Sequence, residues 1–204
     1  MELFNIPLFC TIVAIGFIIL LYYRKSIEKC MIDKVYTSAH LLSNADYDII
    51  VQETNKLCHQ LADEPIDNTT VIRKKVEIEK ESFIHRIFHG QPFIDKLNKI
   101  LGMKLEPSPL RTLEYRLYDI GGHMDWHIDT RVTTKKCPQI EVVYTIENTS
   151  DSTTVWREND TNIEHTISTT PNSVLITQGE SVYHKVTPVT RGHRSIIKAS
   201  YEII

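Results

Sequence analysis

The chain has 204 residues, 42% of them hydrophobic, with 23 Lys or Arg against 26 Asp or Glu and a formal net charge of -3. It is sized for one globular domain and is neither disordered nor fibrous. Near-balanced charge offers no broad attraction to a phosphate backbone, which sets nucleic acid aside as a partner. Four cysteines, Cys10, Cys30, Cys58 and Cys137, contain no Cys-x-x-Cys pair, which argues against a zinc ribbon and a dense disulfide framework.

Residues 6–23 read IPLFCTIVAIGFIILLYY without one charge, close to the roughly 20 apolar residues that cross a hydrocarbon core. A helix apolar on every side is covered by lipid without help from a protein partner. The expectation is one N-terminal transmembrane helix, residues 1–23, meeting the bilayer through residues 6–23. Glu2 stands where a signal peptide has a basic region, and Tyr22-Tyr23-Arg24-Lys25 stands where it has small residues for cleavage, so a retained anchor is preferred. Basic residues Arg24, Lys25 and Lys29 favour a cytoplasmic domain on a single-pass membrane protein. The N-glycosylation acceptors at Asn68, Asn148 and Asn159 matter only for a lumenal one.

Residues 24–42 read as a polar tether, followed by the domain over 43–204. Ser43 and Asn44 are helix-capping types, and Ile50, Leu57 and Leu61 follow at helical spacing, which predicts a helix within Ser43–Glu64. Pro92 at a start, apolar Phe93, Ile94, Leu97, Ile100 and Leu101, and Gly102 just past the end predict a second helix over Gln91–Leu101. The triplet Arg73-Lys74-Lys75 reads as a solvated strand or turn face. Past Pro109 the period changes. Leu113–Tyr118, Ile140–Ile146, Thr153–Arg157, Val174–Thr177, Val182–Val186 and Ser195–Ile204 are short runs rich in Val, Ile, Thr and Tyr, the pattern of strands. The fold class is mainly β (α+β): flanking helices on a sandwich or jelly-roll core over about 110–204.

The stretch Tyr118 to Thr130 holds two His-x-Asp pairs, His123/Asp125 and His127/Asp129. On a strand, residues i and i+2 share a face, so either pair offers an imidazole and a carboxylate to one metal. Spacing alone does not choose between them. A facial triad needs a second, distant histidine, and His184 supplies one. After a turn marked by Pro188 and Gly192 comes Arg194, whose planar fork matches a carboxylate. Trp126 and Trp156 read as packing residues.

The segment from Leu113 to the C-terminus resembles the Fe(II)/2-oxoglutarate-dependent dioxygenases, most closely their prolyl-4-hydroxylase-like branch. Tyr118, Gly121, His127 and Asp129 match its first motif, and His184, Val186, Pro188, Val189, Gly192 and Arg194 match its second. The resemblance implies a double-stranded β-helix core. It makes His127, Asp129 and His184 the iron ligands, with His123 at the rim, and assigns Arg194 to the distal carboxylate of 2-oxoglutarate. Tyr144 and Tyr118 are further candidates for binding this cosubstrate. No catalytic side chain beyond the metal ligands is implied.

The activity it implies is hydroxylation of an aliphatic carbon by Fe(II), 2-oxoglutarate and molecular oxygen, with ascorbate as an accessory reductant. The implied substrate is a prolyl or other side chain of a protein or peptide, and such enzymes also work in the ER lumen. Two departures stand out: Asp151-Ser152-Thr153-Thr154-Val155-Trp156 replaces the usual glycine pair, and Arg194 replaces the lysine of collagen-type enzymes. The alternatives are a nucleic-acid oxidative demethylase, whose second Arg corresponds to Ser200 here, and a non-catalytic metal-binding jelly-roll module.

Overall fold

The computed structural model describes residues 12–21, 30–32, 34–65 and 69–204. It divides into two compact units, Met1–Met31 and Ile32–Ile204. In the first, residues 12–21 are helical. Among the described residues no helix is long and apolar enough to cross a membrane. Residues 6–11 and 22–23 of the expected anchor lie outside the described residues.

The second unit begins earlier than the predicted boundary. Strand β1 (Tyr36–Ala39) lies within the stretch read as a tether, yet it pairs antiparallel with β9 (Ser173–Gln178). Ile32, Leu41 and Leu42 are buried in the main core. The alternation of four short residues was too weak to register as a strand, and its pairing partner lies more than 130 residues away. Helix α1 (Asn44–Leu57) follows, capped by Ser43, whose side chain accepts from the Asp46 amide. A single 3-10 turn, Cys58–Gln60, extends it.

Strands β2 (Ala62–Asp63) and β3 (Thr70–Glu77) come next. Arg73, read as part of a solvated face, is buried and ion-paired with Glu64 at 2.5 Å. The alternation of β3 turns it inward, while Lys74 remains half exposed beside Asp119. Helix α2 (Phe83–Phe88), not predicted, is capped by Ser82. Its six residues are too few to display a helical period. Helix α3 spans Gln91–Leu101, with Pro92 in its first turn and Gly102 at φ 68° closing it, as the sequence predicts.

The remaining strands are β4 (Leu105–Pro107), β5 (Glu114–His127), β6 (Ile140–Asn148), β7 (Thr154–Arg157), β8 (Glu164–Ile167), β10 (Tyr183–Val186) and β11 (Arg194–Ile203). They form one antiparallel sheet in the order β1-β9-β6-β11-β5-β10-β7-β8, with β3 added to β5, β2 to β3 and β4 to β11. The sheet curls. Three strand spacings of about 4.8 Å separate β11 from β7 in a flat sheet, yet Arg194 Nη1 on β11 donates to Thr154 Oγ1 on β7 at 3.0 Å.

The period of two sorts the side chains of each strand between two compartments. Outside the curl, Ile140, Val142, Tyr144 and Ile146 of β6 and Ile197, Ala199 and Tyr201 of β11 join the helical residues Ile50, Phe88, Phe93 and Leu97 in the main core. Inside it, Tyr118, Val186, Val189 and Ile196 form a second cluster, with Met124 and Val143 packed against it. Burying the first set holds the helices on the sheet, at about 1.5–3 kcal/mol per large apolar side chain. The second set walls a cavity.

Candidate active site

The site is organised by an irregularity in β5. Against β3, Tyr118 pairs with Arg73 and His123 with Val71, so residues 119–122 of β5 stand opposite Ile72 alone. Gly121 sits at φ 88° there, and a Cβ on Gly122 would lie 2.6 Å from the Ile72 carbonyl oxygen. Only glycine fits both demands. The Gly121 amide donates to Val189 O and the Val189 amide to Gly122 O, tying the bulge to the turn after β10. Beyond it β5 carries His127 directly opposite His184 of β10.

The two imidazole centroids are 4.3 Å apart. Each ring has Nδ1 against a backbone carbonyl, Asp125 O at 2.7 Å for His127 and Val182 O at 2.9 Å for His184. A carbonyl only accepts, so both rings hold a proton on Nδ1, which leaves Nε2 as the nitrogen able to ligate a metal. His127 Nε2 lies 3.9 Å from Asp129 Oδ1 and His184 Nε2 lies 3.9 Å from Asp129 Oδ2. One ligand atom from each of the three residues falls within 4.8 Å of the others. Neighbouring donors around an octahedral ion at about 2.1 Å lie about 3 Å apart, a short side-chain adjustment away. Burial and the neighbouring His184 lower the pKa of His127, which favours the neutral, ligating form.

His123 makes the same kind of Nδ1 contact, to Gly121 O at 2.9 Å. Its Asp125 is largely exposed, at 4.0 Å, and among the described residues no third ligand joins this pair. The structure therefore gathers the second His-x-Asp pair with the distant His184, and leaves the first at the rim.

Deeper in the curl lies Arg194. Its side chain is buried, and among the described residues it has no acidic partner. Nη1 donates to Thr154 Oγ1, while Nε has no acceptor among the described residues. Desolvation lowers its pKa, the mark of a cation held without its counter-ion. Tyr118, Val143, Thr154, Val186 and Ile196 line the same narrow cavity, which also reaches His127, Asp129 and His184. Tyr118 accepts from Arg73 Nη1 at 3.1 Å. Burial would raise the Tyr118 phenol, but Arg73, Arg116 and Arg194 outweigh it and lower its pKa.

Tyr144 lies elsewhere, contrary to expectation. Its hydroxyl donates to Asn172 Oδ1 at 3.0 Å, and its ring packs edge-on against Phe88. The alternation of β6 sends Val143 into the cavity and Tyr144 to the helical side.

Sequence reasoning missed Lys198, four residues past Arg194 on the same face of β11. Its Nζ lies 3.1 Å from Asp129 Oδ1 and 3.2 Å from Oδ2. Burial would raise the Asp129 carboxyl, but Lys198, then His184 and His127, hold it well below the ordinary carboxylate range. Thr154 and Arg116 were missed as well. The even-numbered alternation from Arg194 was the available signal for Lys198. A polar cleft of about 620 Å³ lies over the paired strands β3 and β5, lined by Arg73, Lys75, Glu77, Arg111, Glu114 and Arg116 among others, and reaches His127 and Asp129.

No family model matches the chain, and no curated protein matches it. Solved structures do. A prolyl-4-hydroxylase of Pseudomonas putida superposes with a TM-score of 0.64 at 13% identity, covering 82% of this chain and 91% of that one. A prolyl hydroxylase from Trichoplax adhaerens, in complex with a hypoxia inducible factor oxygen degradation domain peptide fragment, gives 0.61 at 14%, covering 91% and 92%. SnoN, a non-heme alpha ketoglutarate dependent epimerase from nogalamycin biosynthesis, gives 0.67 at 10%, covering 89% and 83%. The unit built on the curled sheet thus has the double-stranded β-helix fold of the 2-oxoglutarate/Fe(II) oxygenases, with prolyl-4-hydroxylases among the structures it resembles.

Proposed function

We propose that this protein is an Fe(II)/2-oxoglutarate-dependent oxygenase that hydroxylates an aliphatic carbon. The observation that carries the reading is Arg194: a buried guanidinium with an unpartnered Nε and, among the described residues, no acid, in the same cavity as two imidazoles and a carboxylate. A dicarboxylate with one end on the guanidinium and the other toward the triad supplies what both lack. Two imidazoles and one carboxylate also suit non-heme Fe(II) better than a closed zinc site.

Within that reading, His127, Asp129 and His184 hold the metal and leave open positions for cosubstrate and oxygen. With molecular oxygen as the oxidant and 2-oxoglutarate as the two-electron co-reductant, which leaves as succinate and carbon dioxide, the bound metal would supply the hydroxylating chemistry. The chain's own contribution is placement. Asp125 O and Val182 O fix the tautomers, Thr154 Oγ1 fixes the Arg194 fork, and the Tyr118, Val186 and Ile196 wall keeps water away from the cosubstrate.

For substrate we infer a side chain of a protein or peptide. The cleft that reaches the triad is polar and about 620 Å³ in volume, room for part of a peptide, and the peptide complex of the Trichoplax adhaerens prolyl hydroxylase supports this choice. We also infer attachment to a membrane through residues 6–23, on the grounds of the uncharged apolar run alone, with the side of the membrane open between cytoplasm and lumen.

The test is Fe(II)- and 2-oxoglutarate-dependent succinate release, first uncoupled and then with a proline-containing peptide library. Asp129→Ala should abolish release and metal binding together. Retention of metal binding in that variant would overturn the triad, and absence of any 2-oxoglutarate binding in metal-loaded wild type would overturn the oxygenase reading. Vesicle flotation of the full chain against one lacking residues 1–23 tests attachment.

A further inference from the structure

Lys198 is a half-buried cation placed against the metal-ligating carboxylate, and the motif that matches the site does not include it. Its side chain is 18% exposed, contacts both oxygens of Asp129, and has a second acid, Glu141 Oε2, at 3.4 Å. Glu141 is itself buried and anchored, accepting from Ser200 Oγ at 2.7 Å and from Gln139 Nε2 at 2.9 Å. The other basic groups near the cavity have acids of their own, three cations on two carboxylates: Arg116 and Lys75 on Glu114, Lys75 and Arg73 on Glu64.

Four charges stand close around the metal position, Glu141 reaching it through Lys198. Asp129 and Glu141 are negative and Lys198 and Arg194 positive, a sum of zero. A divalent metal alone raises that sum to +2 in a low-dielectric interior, and a dicarboxylate returns it to zero. Lys198 is the charge that makes the metal-only state unbalanced at the ligand itself.

We propose that Lys198 is a built-in competitor of the metal, a positioning residue that neutralises Asp129 in the metal-free protein and makes tight metal retention depend on the anionic cosubstrate. The inference rests on the triad reading above. A merely structural lysine would have the opposite sign: losing it would misplace Asp129 and weaken metal binding. As a competitor, its removal relieves repulsion between a monovalent and a divalent cation sharing one carboxylate, a Coulombic effect large enough for about tenfold or more in affinity.

The experiment titrates Mn(II), followed by the electron paramagnetic resonance of the free ion, into full-length wild type, Lys198→Met, Lys198→Arg and Glu141→Gln, with and without 2-oxoglutarate. Lys198→Met should bind Mn(II) alone about tenfold or more tightly than wild type, and the factor by which 2-oxoglutarate tightens Mn(II) should shrink several-fold, as linkage requires of both ligands. Lys198→Arg, which keeps the charge, should stay within about threefold of wild type. Glu141→Gln leaves Lys198 bearing on Asp129 alone and should weaken Mn(II) several-fold. If Lys198→Met does not fold, Lys198→Gln, which keeps a polar side chain without the charge, takes its place with the same expected tightening. Unchanged or weaker Mn(II) binding in folded Lys198→Met, or unchanged binding in Glu141→Gln, overturns the proposal and leaves the oxygenase reading intact. Equal Mn(II) binding by wild type and Asp129→Ala would instead strike the triad reading beneath it.

Discussion

A single guanidinium carries most of the functional argument, because a buried charge without a counter-ion costs several kcal/mol and is retained only where something compensates it. Each charge-assisted hydrogen bond to Arg194 is worth about 1.5–3 kcal/mol. Arg194→Ala should therefore weaken 2-oxoglutarate binding by about tens to thousands of fold while barely changing Mn(II) affinity, as isothermal titration of the metal-loaded protein would read. Arg194→Lys keeps the charge but loses the fork and should retain part of the affinity. Thr154→Val removes the acceptor of Arg194 Nη1 and should cost a smaller part, roughly threefold to tenfold for one hydrogen bond. At the metal, His127→Ala should abolish Mn(II) binding and His123→Ala should leave most of it, since His123 has only exposed Asp125 beside it.

At the level of elements, the bulge of β5 sets where the triad points. Gly121 takes a left-handed φ, with Ile72 across from it also at a left-handed φ of 48°. For a β-branched residue that conformation costs about 1–2 kcal/mol, and Ile72 is half exposed, so no large burial offsets it. Ile72→Asn should accordingly stabilise the domain by roughly 1 kcal/mol in urea unfolding. Glycine replacements should act the other way. Gly121→Ala meets only the flexible end of Ile72 and its own unfavourable φ, for a loss of about 1–2 kcal/mol. Gly122→Ala meets two backbone carbonyls, at 2.6 and 2.9 Å. Because the backbone itself has to move, it should cost more than Gly121→Ala and also weaken Mn(II) binding, since His127 rides on the same strand.

Across the whole molecule, the start of the domain and its acid sensitivity are both open to measurement. Deleting residues 1–23 removes no described part of the unit Ile32–Ile204 and should leave it folded. Deleting residues 1–42 strips β1 and the buried Ile32, Leu41 and Leu42, at about 1.5–3 kcal/mol for each large side chain. That product should be unfolded or aggregated by circular dichroism and size-exclusion chromatography. His89 sits on the other side of the core, beside His85 and Tyr201, and burial, with His85, lowers its pKa to about 4. The unfolded chain binds that proton near pH 6.5, so stability is full above about 6.5 and falls as the pH drops toward 4. Discounted for partial exposure, the loss is about 1 kcal/mol. His89→Gln should flatten the pH dependence of the urea midpoint over this window.

What the amino-acid order determined by itself was whatever depends on local pattern or on residue chemistry. Helix α3 was legible to the residue because Pro92, its apolar period and Gly102 all lie within one short window. The strands from Ile140 onward, apart from the short β8, were legible from β-branched runs, and His127, Asp129, His184 and Arg194 from the rarity of their combined spacing. Contacts across the fold decided the rest. Strand β1 exists because β9 is there to pair with it, Arg73 is buried because Glu64 and Tyr118 meet it, and Tyr144 misses the cavity because the phase of β6 assigns Val143 to the inside. Lys198 looked like one more lysine in a strand until the curl brought Asp129 and Glu141 to its ammonium. The sequence specifies which charges are present, but only the closure of the sheet sets their separations, and in a buried site the separations fix which charge each one must answer.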